Sequence, residues 1–329
     1  MVFRFFESTY RYLDARIRGC TTGACMLPKV TIGVCVKNGA ATLREAIESI
    51  ISQNYPHELI EVIFVDDGSE DETLLIINAY ASKMDMDVKI FRHEWRGLGF
   101  SRNVVIKNAK SKYIIWVDCD MILPEDHIQK QVEFMEKNSK VGVGKARHGF
   151  INKNLLIAFL ENMPFIIYDS KDVPLDLKLP GTGGAIFRVE AIRKIGGFDE
   201  GLDGVGEDQD IAYRIKADGW QIKRTNAYFY ERRAKSWRDL WRKYFWYGYG
   251  NYHLYRKNKR ILSPTRMNPI AGFLAGCLYV AESYRLTHKK AVFLLPLHFA
   301  FKMVAWFIGF SKGYIDTNNN NSNKPHSLP

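Results

Sequence analysis

From Lys29 onward, short β-rich runs alternate with helix-patterned stretches, and this alternation restricts the fold more than any other feature of the chain. Residues 30–36 read as a strand, 42–53 as a helix and 61–65 as a second strand, after which a helix opens near Glu72. Residues 88–91 form a third strand, and a helix over 101–109 leads into the apolar run 113–117. Strands spaced by helices of this length are joined by crossovers, so they pair in parallel within an α/β layer structure. Ligands of such sheets sit beyond the carboxyl ends of the strands. Three polar loops fall there: Lys37-Asn38, Asp66-Asp67-Gly68-Ser69 and Asp118-Cys119-Asp120.

The last of these carries the most specific chemistry. At the end of the strand 113–117, side-chain alternation points Asp118 and Asp120 the same way and Cys119 away from them. Like charges that close repel unless a cation lies between them, and an all-oxygen pair suits Mg²⁺ or Mn²⁺. Acidic pairs that close a strand also serve as turn and cap residues. The convergence of three polar loops on one sheet edge favours the metal reading.

With 329 residues, 47% of them hydrophobic, the chain can bury a large core as one big domain or two intimate halves. Its formal charge of +11 is unevenly spread. Between Lys223 and Arg266 there are 13 Lys or Arg against two acids, Glu231 and Asp239, and the rest of the chain is neutral. The five cysteines are odd in number and lack zinc-site spacing, which is the usage of a reduced intracellular protein, with Cys20/Cys25 as the one pair close enough to bridge or bind metal. Residues 1–28 have no signal-peptide core; aromatic and aliphatic side chains interleave with arginines as in an amphipathic helix.

Beyond Pro124 a helix is expected to about residue 138, and residues 141–143 begin a less regular half. Residues 150–180 show no clean period and read as a helix plus a loop. Then come Gly181-Thr182-Gly183-Gly184, Gly196-Gly197-Phe198-Asp199 and Gly206-Glu207-Asp208-Gln209-Asp210, the last opening a helix.

In this order the motifs resemble those of the family 2 glycosyltransferases, over roughly residues 29–234. The matching residues are Val36-Lys37-Asn38, Val65-Asp66-Asp67-Gly68-Ser69, Gly97-Leu98-Gly99-Phe100-Ser101-Arg102-Asn103, Asp118-Cys119-Asp120, Gly181-Thr182-Gly183-Gly184 and Gly206-Glu207-Asp208. The resemblance implies a GT-A fold, a Rossmann-like and mostly parallel sheet flanked by helices, acting on a UDP- or GDP-sugar donor. It further implies that Lys37, Asn38, Asp66, Asp67, Arg102 and Asp118 bind the nucleotide, and that Asp118 and Asp120 hold Mg²⁺ or Mn²⁺ against the diphosphate. Asp208 matches the general base, with Glu207 and Asp210 as competitors and a plain helix N-cap as the structural alternative. Gly183, Gly184, Glu207, Arg232 and Trp237 fall on the acceptor side. The implied reaction is a single inverting displacement. Processive synthases of the family carry Gln-x-x-Arg-Trp after the base, whereas this chain reads Glu231-Arg232-Arg233-Ala234-Lys235-Ser236-Trp237, so transfer of one sugar is expected.

Trp237, Leu240, Trp241, Tyr244 and Phe245 share one helical face opposite Arg238, Arg242 and Lys243. Mixed aromatic and basic composition suits a nucleic-acid surface, an anionic membrane interface, or packing on the catalytic core. The uncharged run 270–281 and the run 291–311, charged only at Lys302, favour the membrane over nucleic acid. Twelve residues cover only ~18 Å of a ~30 Å hydrocarbon core, so in-plane or re-entrant helices on the cytoplasmic face are expected, with one span through 291–311 as the alternative. The expected division is an extension 1–28, a catalytic domain 29–234 split near residue 120, membrane-associating helices 235–316 and a disordered tail 317–329. The acceptor is then a polyprenyl-linked glycan or polyprenyl phosphate. A sugar-phosphate nucleotidyltransferase and an inactive membrane scaffold are the competing readings.

Overall fold

The computed structural model describes residues 27–150, 155–171, 175, 179–202 and 205–319. The amphipathic extension through residue 26 and the Cys20/Cys25 pair lie outside them. The strands are β1 (Val30–Val36), β2 (Ile60–Asp67), β3 (Asp87–His93), β4 (Tyr113–Trp116), β5 (Met121–Ile122), β6 (Val141–His148), β7 (Ala185–Arg188) and β8 (Gln221–Glu231). They form one sheet in the order β3-β2-β1-β4-β7-β6-β8-β5. The first four pair in parallel, as the crossover spacing requires. β7 runs antiparallel to β4 and β6, so the sheet is mixed in its second half.

Helices α1 (Leu43–Ile51), α2 (Thr73–Ala81), α3 (Leu98–Asn108), α4 (His127–Lys137), α5 (Leu156–Ser170), α6 (Val189–Lys194) and α7 (Glu207–Ala217) follow in chain order. Period two divides each central strand between two cores. Val30, Ile32, Val62, Phe64 and Ile115 pack with Leu43, Ile47, Ile76 and Ile128 of α1, α2 and α4. Ile63, Val65, Ile114 and Trp116 pack on the other face with Val105, Ile192 and Ile211 of α3, α6 and α7. A strand buried on both faces reads as a continuous apolar run, which explains 113–117.

The C-terminal layer consists of α8 (Trp237–Lys257), α9 (Pro269–Thr287) and α10 (Leu295–Asn319). The Ser236 side chain caps α8 by accepting from the Asp239 N–H at 3.1 Å, and Asn268 caps α9 by accepting from Ala271 at 2.9 Å. α10 lies between the other two and runs parallel to α8, with Trp237 at Phe301 and Tyr252 at Phe310. The layer is joined to the sheet domain by Lys257, whose Nζ lies 2.7 Å from Asp210 and 2.5 Å from Asp199.

Two expectations change. α10 continues to Asn319, so the described part of the tail from Thr317 is helical. And β4 stops at Trp116, two residues before Asp118, so the acidic pair lies in the connection to β5 and strand alternation does not orient it.

Candidate active site

The carboxyl edges of β1, β2 and β4 open onto a cavity of about 280 Å³ whose walls include Lys37, Asp67, Trp95, Gly97, Asp118 and Trp246. The Lys37 ammonium lies 4.9 Å from the centre of the Trp95 ring. Asp67 is clamped by the backbone N–H groups of Arg96 at 2.8 Å and Gly97 at 3.1 Å, and its burial still raises its pKa. Asp66 is fully buried; it accepts from Ser69 N at 3.0 Å and faces Arg92 at 3.4 Å, so it shapes the turn that presents Asp67. Asn38 adopts left-handed backbone (φ 51°) and bridges two loops, donating its N–H to Ser69 Oγ at 2.9 Å and accepting from Glu70 N at 2.9 Å. These contacts direct Asn38 into the loop junction.

Arg102 of α3 is 3% exposed, deeper than a nucleotide contact at a cleft surface would be. Its Nη1 lies 2.6 Å from Glu207 and its Nη2 3.6 Å from Asp118. It ties the end of β4 to the start of α7, and Glu207 holds its proton more firmly than usual against the opposing effect of burial.

Asp118 and Asp120 lie in one turn and both sense Glu231. Asp118 faces Arg102 and Gly183; a Cβ on Gly183 would lie 2.8 Å from Asp118 Oδ2. Asp120 faces the half-buried Glu231, and its backbone carbonyl accepts from Arg232 N at 2.9 Å. Enclosure by protein, then Glu231 and Asp118, raise the pKa of Asp120 to about 7; enclosure likewise raises Asp118. Cys35 and Cys119, beside them on the cavity wall, are free thiols that burial pushes up to about 12.

Gly206, with φ 95°, sharply turns the chain into α7, whose first turn carries three acids. Two are committed: Glu207 to Arg102, and Asp210 to Arg214 and Lys257, each at 2.7 Å. Asp208 forms no ion pair among the described residues; its Oδ1 accepts from Gln209 N at 2.7 Å. Burial raises its pKa. A Cβ on Gly181 would lie 2.9 Å from Asp208 Oδ2. The glycine segment 181–184 therefore runs between Asp118 and Asp208, and side chains there would fill the cleft that separates them. Gly184, with φ 65°, turns this segment against the Phe229 ring.

Arg232 pairs with Glu45 of α1 and so braces the backbone of Asp120. Trp237 packs at 4.9 Å on Phe301 of α10, away from the acidic cleft.

Sequence reasoning missed the basic and acidic groups behind Asp120. Arg233 lies 2.7 Å from Glu231, and Lys243 of α8 lies 3.3 Å from Glu161 and 3.5 Å from Glu231. It also missed Lys145, which is 7% exposed on β6, and Trp246 of α8 on the cavity wall. Glu161, alone among apolar neighbours in α5, and Lys145, inside a glycine-alternating apolar strand, were the available signals. A charge in such a run is buried and needs a partner.

The cavity at the carboxyl edge of the sheet carries Asp67 and Asp118 on its wall, the position where ligands of α/β sheets bind. The comparisons specify the family. The description "Glycosyl transferase family 2" matches residues 31–196, half of the chain, and the chain belongs to that family. Among relatives, poly-beta-1,6-N-acetyl-D-glucosamine synthase of Staphylococcus epidermidis is 26% identical over 206 residues, covering 61% of this chain and 47% of the synthase. The chain thus spans about half the length of that relative. Among solved structures, the mannosyltransferase PcManGT from Pyrobaculum calidifontis, in complex with GDP-Man and Mn²⁺, superposes with a TM-score of 0.64 at 18% identity, covering 89% of this chain and 88% of that one. S. aureus TarS 1-349 in complex with UDP-GlcNAc gives 0.51 at 17%, covering 88% and 92%. At these identities the structural likeness establishes the GT-A fold. Family membership and fold therefore agree with each other.

Proposed function

We propose that this enzyme transfers one sugar, with inversion, from a UDP- or GDP-sugar to a lipid-linked acceptor at the cytoplasmic face of a membrane. The observation that carries this reading is the placement of Asp208 against Gly181 and Asp118 against Gly183 of one glycine segment, with Asp118 on the cavity wall.

The donor nucleoside would lie along Lys37, Asp67 and Trp95, with Lys37 balancing phosphate charge. The acidic pair suits a hard ion: its ligand atoms are all oxygen, and burial first, then the neighbouring Glu231, disfavours leaving both carboxylates as bare negative charges. No cluster of three or more ligating side chains exists among the described residues, so the pair supplies part of a coordination shell that a diphosphate would complete. When bound, Mg²⁺ or Mn²⁺ offsets charge on the departing diphosphate. PcManGT was solved with Mn²⁺, in keeping with that chemistry.

Asp208 accepts the proton of the acceptor hydroxyl as the oxygen attacks the anomeric carbon, and the nucleoside diphosphate leaves from the opposite face. Arg102 and Gln209 N fix the separation of base and acidic pair, and positioning of this kind decides much of the rate of proton transfer. Single-sugar transfer is supported by the 231–237 segment: Glu231 and Arg233 are locked in buried ion pairs and Trp237 is turned onto α10.

Membrane attachment is supported by α9, where Ile270, Phe273, Leu274 and Leu278 are 43–83% exposed along one face, flanked by Arg285, Lys289 and Lys290. Residues Lys290–Asn318 are long and apolar enough to cross a membrane by length and composition alone. α10 lies between α8 and α9, which favours an in-plane layer over a lone span. Release of nucleoside diphosphate from a panel of UDP- and GDP-sugars, with membrane lipid extract as acceptor, tests the assignment. Release that depends on the extract supports it, and release with soluble acceptors only would move the acceptor off the membrane.

A further inference from the structure

Lys145 is a buried cation among the acids of the cleft, and none of the motifs that mark the family contains it. It projects from β6 and is 7% exposed. Its Nζ donates to the carbonyl of Gly181 at 3.2 Å and, more closely, to that of Gly183. Those two residues face Asp208 and Asp118 respectively. The ammonium also lies 4.7 Å from the centre of the Phe229 ring, which closes the site from below. The acids that act on its charge are Glu231, Asp118, Asp169 and Asp208.

A lysine is a costly choice for so enclosed a position, because an ammonium loses its hydration there and needs compensation. Two carbonyls could be held by a neutral amide or hydroxyl. What a lysine adds is charge, placed among carboxylates that would otherwise repel one another.

We propose that Lys145 is a positioning residue for sugar transfer. It fixes the glycine segment that separates the acidic pair from the base, and its charge moderates the affinity of the pair for its divalent ion. The inference rests on the reading that Asp118 and Asp120 hold that ion. A fixed ammonium repels a divalent cation, so its removal leaves the pair more attractive to metal while the geometry of transfer is lost. Binding and turnover then move in opposite senses, which a general loosening of structure would not produce.

The test uses the full-length enzyme and its Lys145→Gln, Lys145→Met and Lys145→Arg variants. Glutamine keeps donors for the glycine carbonyls and methionine keeps the apolar stem, so folding does not hang on one replacement. Mn²⁺ affinity is read from the electron paramagnetic resonance signal of free Mn²⁺ in the presence of UDP and, separately, GDP. Turnover is read from nucleoside diphosphate release. The neutral variants are expected to bind Mn²⁺ about 3- to 10-fold more tightly and to turn over at least ~10-fold more slowly. Lys145→Arg is expected to restore wild-type Mn²⁺ affinity and part of the turnover. Unchanged or weaker Mn²⁺ binding in a folded neutral variant, or wild-type turnover, would overturn the proposal. Asp120→Asn separates the two claims: if it binds Mn²⁺ as tightly as wild type, the metal reading fails. If it loses Mn²⁺ while the Lys145 variants change nothing, the Lys145 inference alone fails.

Discussion

Arg102 shows how one residue can support a site without lining it. Arg102 is 3% exposed, with Glu207 at 2.6 Å and Asp118 at 3.6 Å, so its loss would leave the buried Glu207 without its partner. Removing one partner of such a pair costs about 3–5 kcal/mol, so Arg102→Met should lower the melting temperature by about 5–10 degrees, and the double change with Glu207→Gln should recover much of the loss. Additive losses in that cycle would contradict the coupling. Two buried histidines set the acid limit of stability. His127 Nδ1 lies 2.6 Å from the Tyr228 carbonyl, and burial lowers its pKa from 6.5 to about 4; His148, 2.9 Å from Asp169, is lowered to about 4 by burial as well. The unfolded chain therefore takes up protons first as pH falls. The stability contributed by the neutral rings is complete above pH ~6.5 and is lost progressively down to pH ~4. The melting temperature of His127→Gln should accordingly fall less between pH 7 and pH 5 than that of the wild type, and an equal fall would remove His127 from the account.

At the scale of elements, the first half of the sheet was legible because β1, β2 and β4 are buried on both faces and punctuated by Gly, Asn and Asp. The direction of the acidic pair was not. Alternation within a strand predicts one shared face, but β4 ends at Trp116, and in the turn that follows Asp118 lies by Arg102 of α3 while the Asp120 carbonyl accepts from Arg232 beyond β8. Pairing across 90 residues of chain, which no local pattern encodes, decides those orientations. The choice among Glu207, Asp208 and Asp210 was open for the same reason: the partners that occupy two of them, Arg102 and Lys257, come from α3 and α8. Glycine clusters were visible as turns, yet their use is steric. Gly183→Ala should press on Asp118 and Met121 and cut kcat at least ~10-fold, with little loss of nucleoside diphosphate affinity measured by calorimetry. In α10, a Cβ at Gly309 would collide with the Phe245 carbonyl of α8, and one at Gly248 of α8 would collide with the Trp306 carbonyl. Small residues that let helix backbones approach this closely are typical of helix packing in membranes.

For the whole molecule, the basic-aromatic stretch is where sequence and structure complement each other. Its composition offered a membrane surface or packing on the catalytic core, and α8 does pack on that core: Trp246 reaches the cavity, and Lys257 pairs with Asp210 of α7. Exposed apolar side chains lie instead on α9 and on α10, where Leu297, Phe307, Ile308 and Ile315 are 44–60% exposed. Leu274→Asp with Leu278→Asp should therefore weaken cosedimentation with anionic vesicles at least ~5-fold while leaving soluble-donor hydrolysis intact. Retention of the wild type in membranes after alkaline carbonate washing would instead favour a span through α10. The central claim is that Asp208 acts as the base across the glycine segment from an acidic pair that serves the donor. It is tested most directly by Asp208→Asn, with nucleoside diphosphate affinity and turnover measured on the same preparation. The account predicts affinity within about threefold of wild type and turnover reduced at least ~100-fold. Near wild-type turnover in that variant would contradict it.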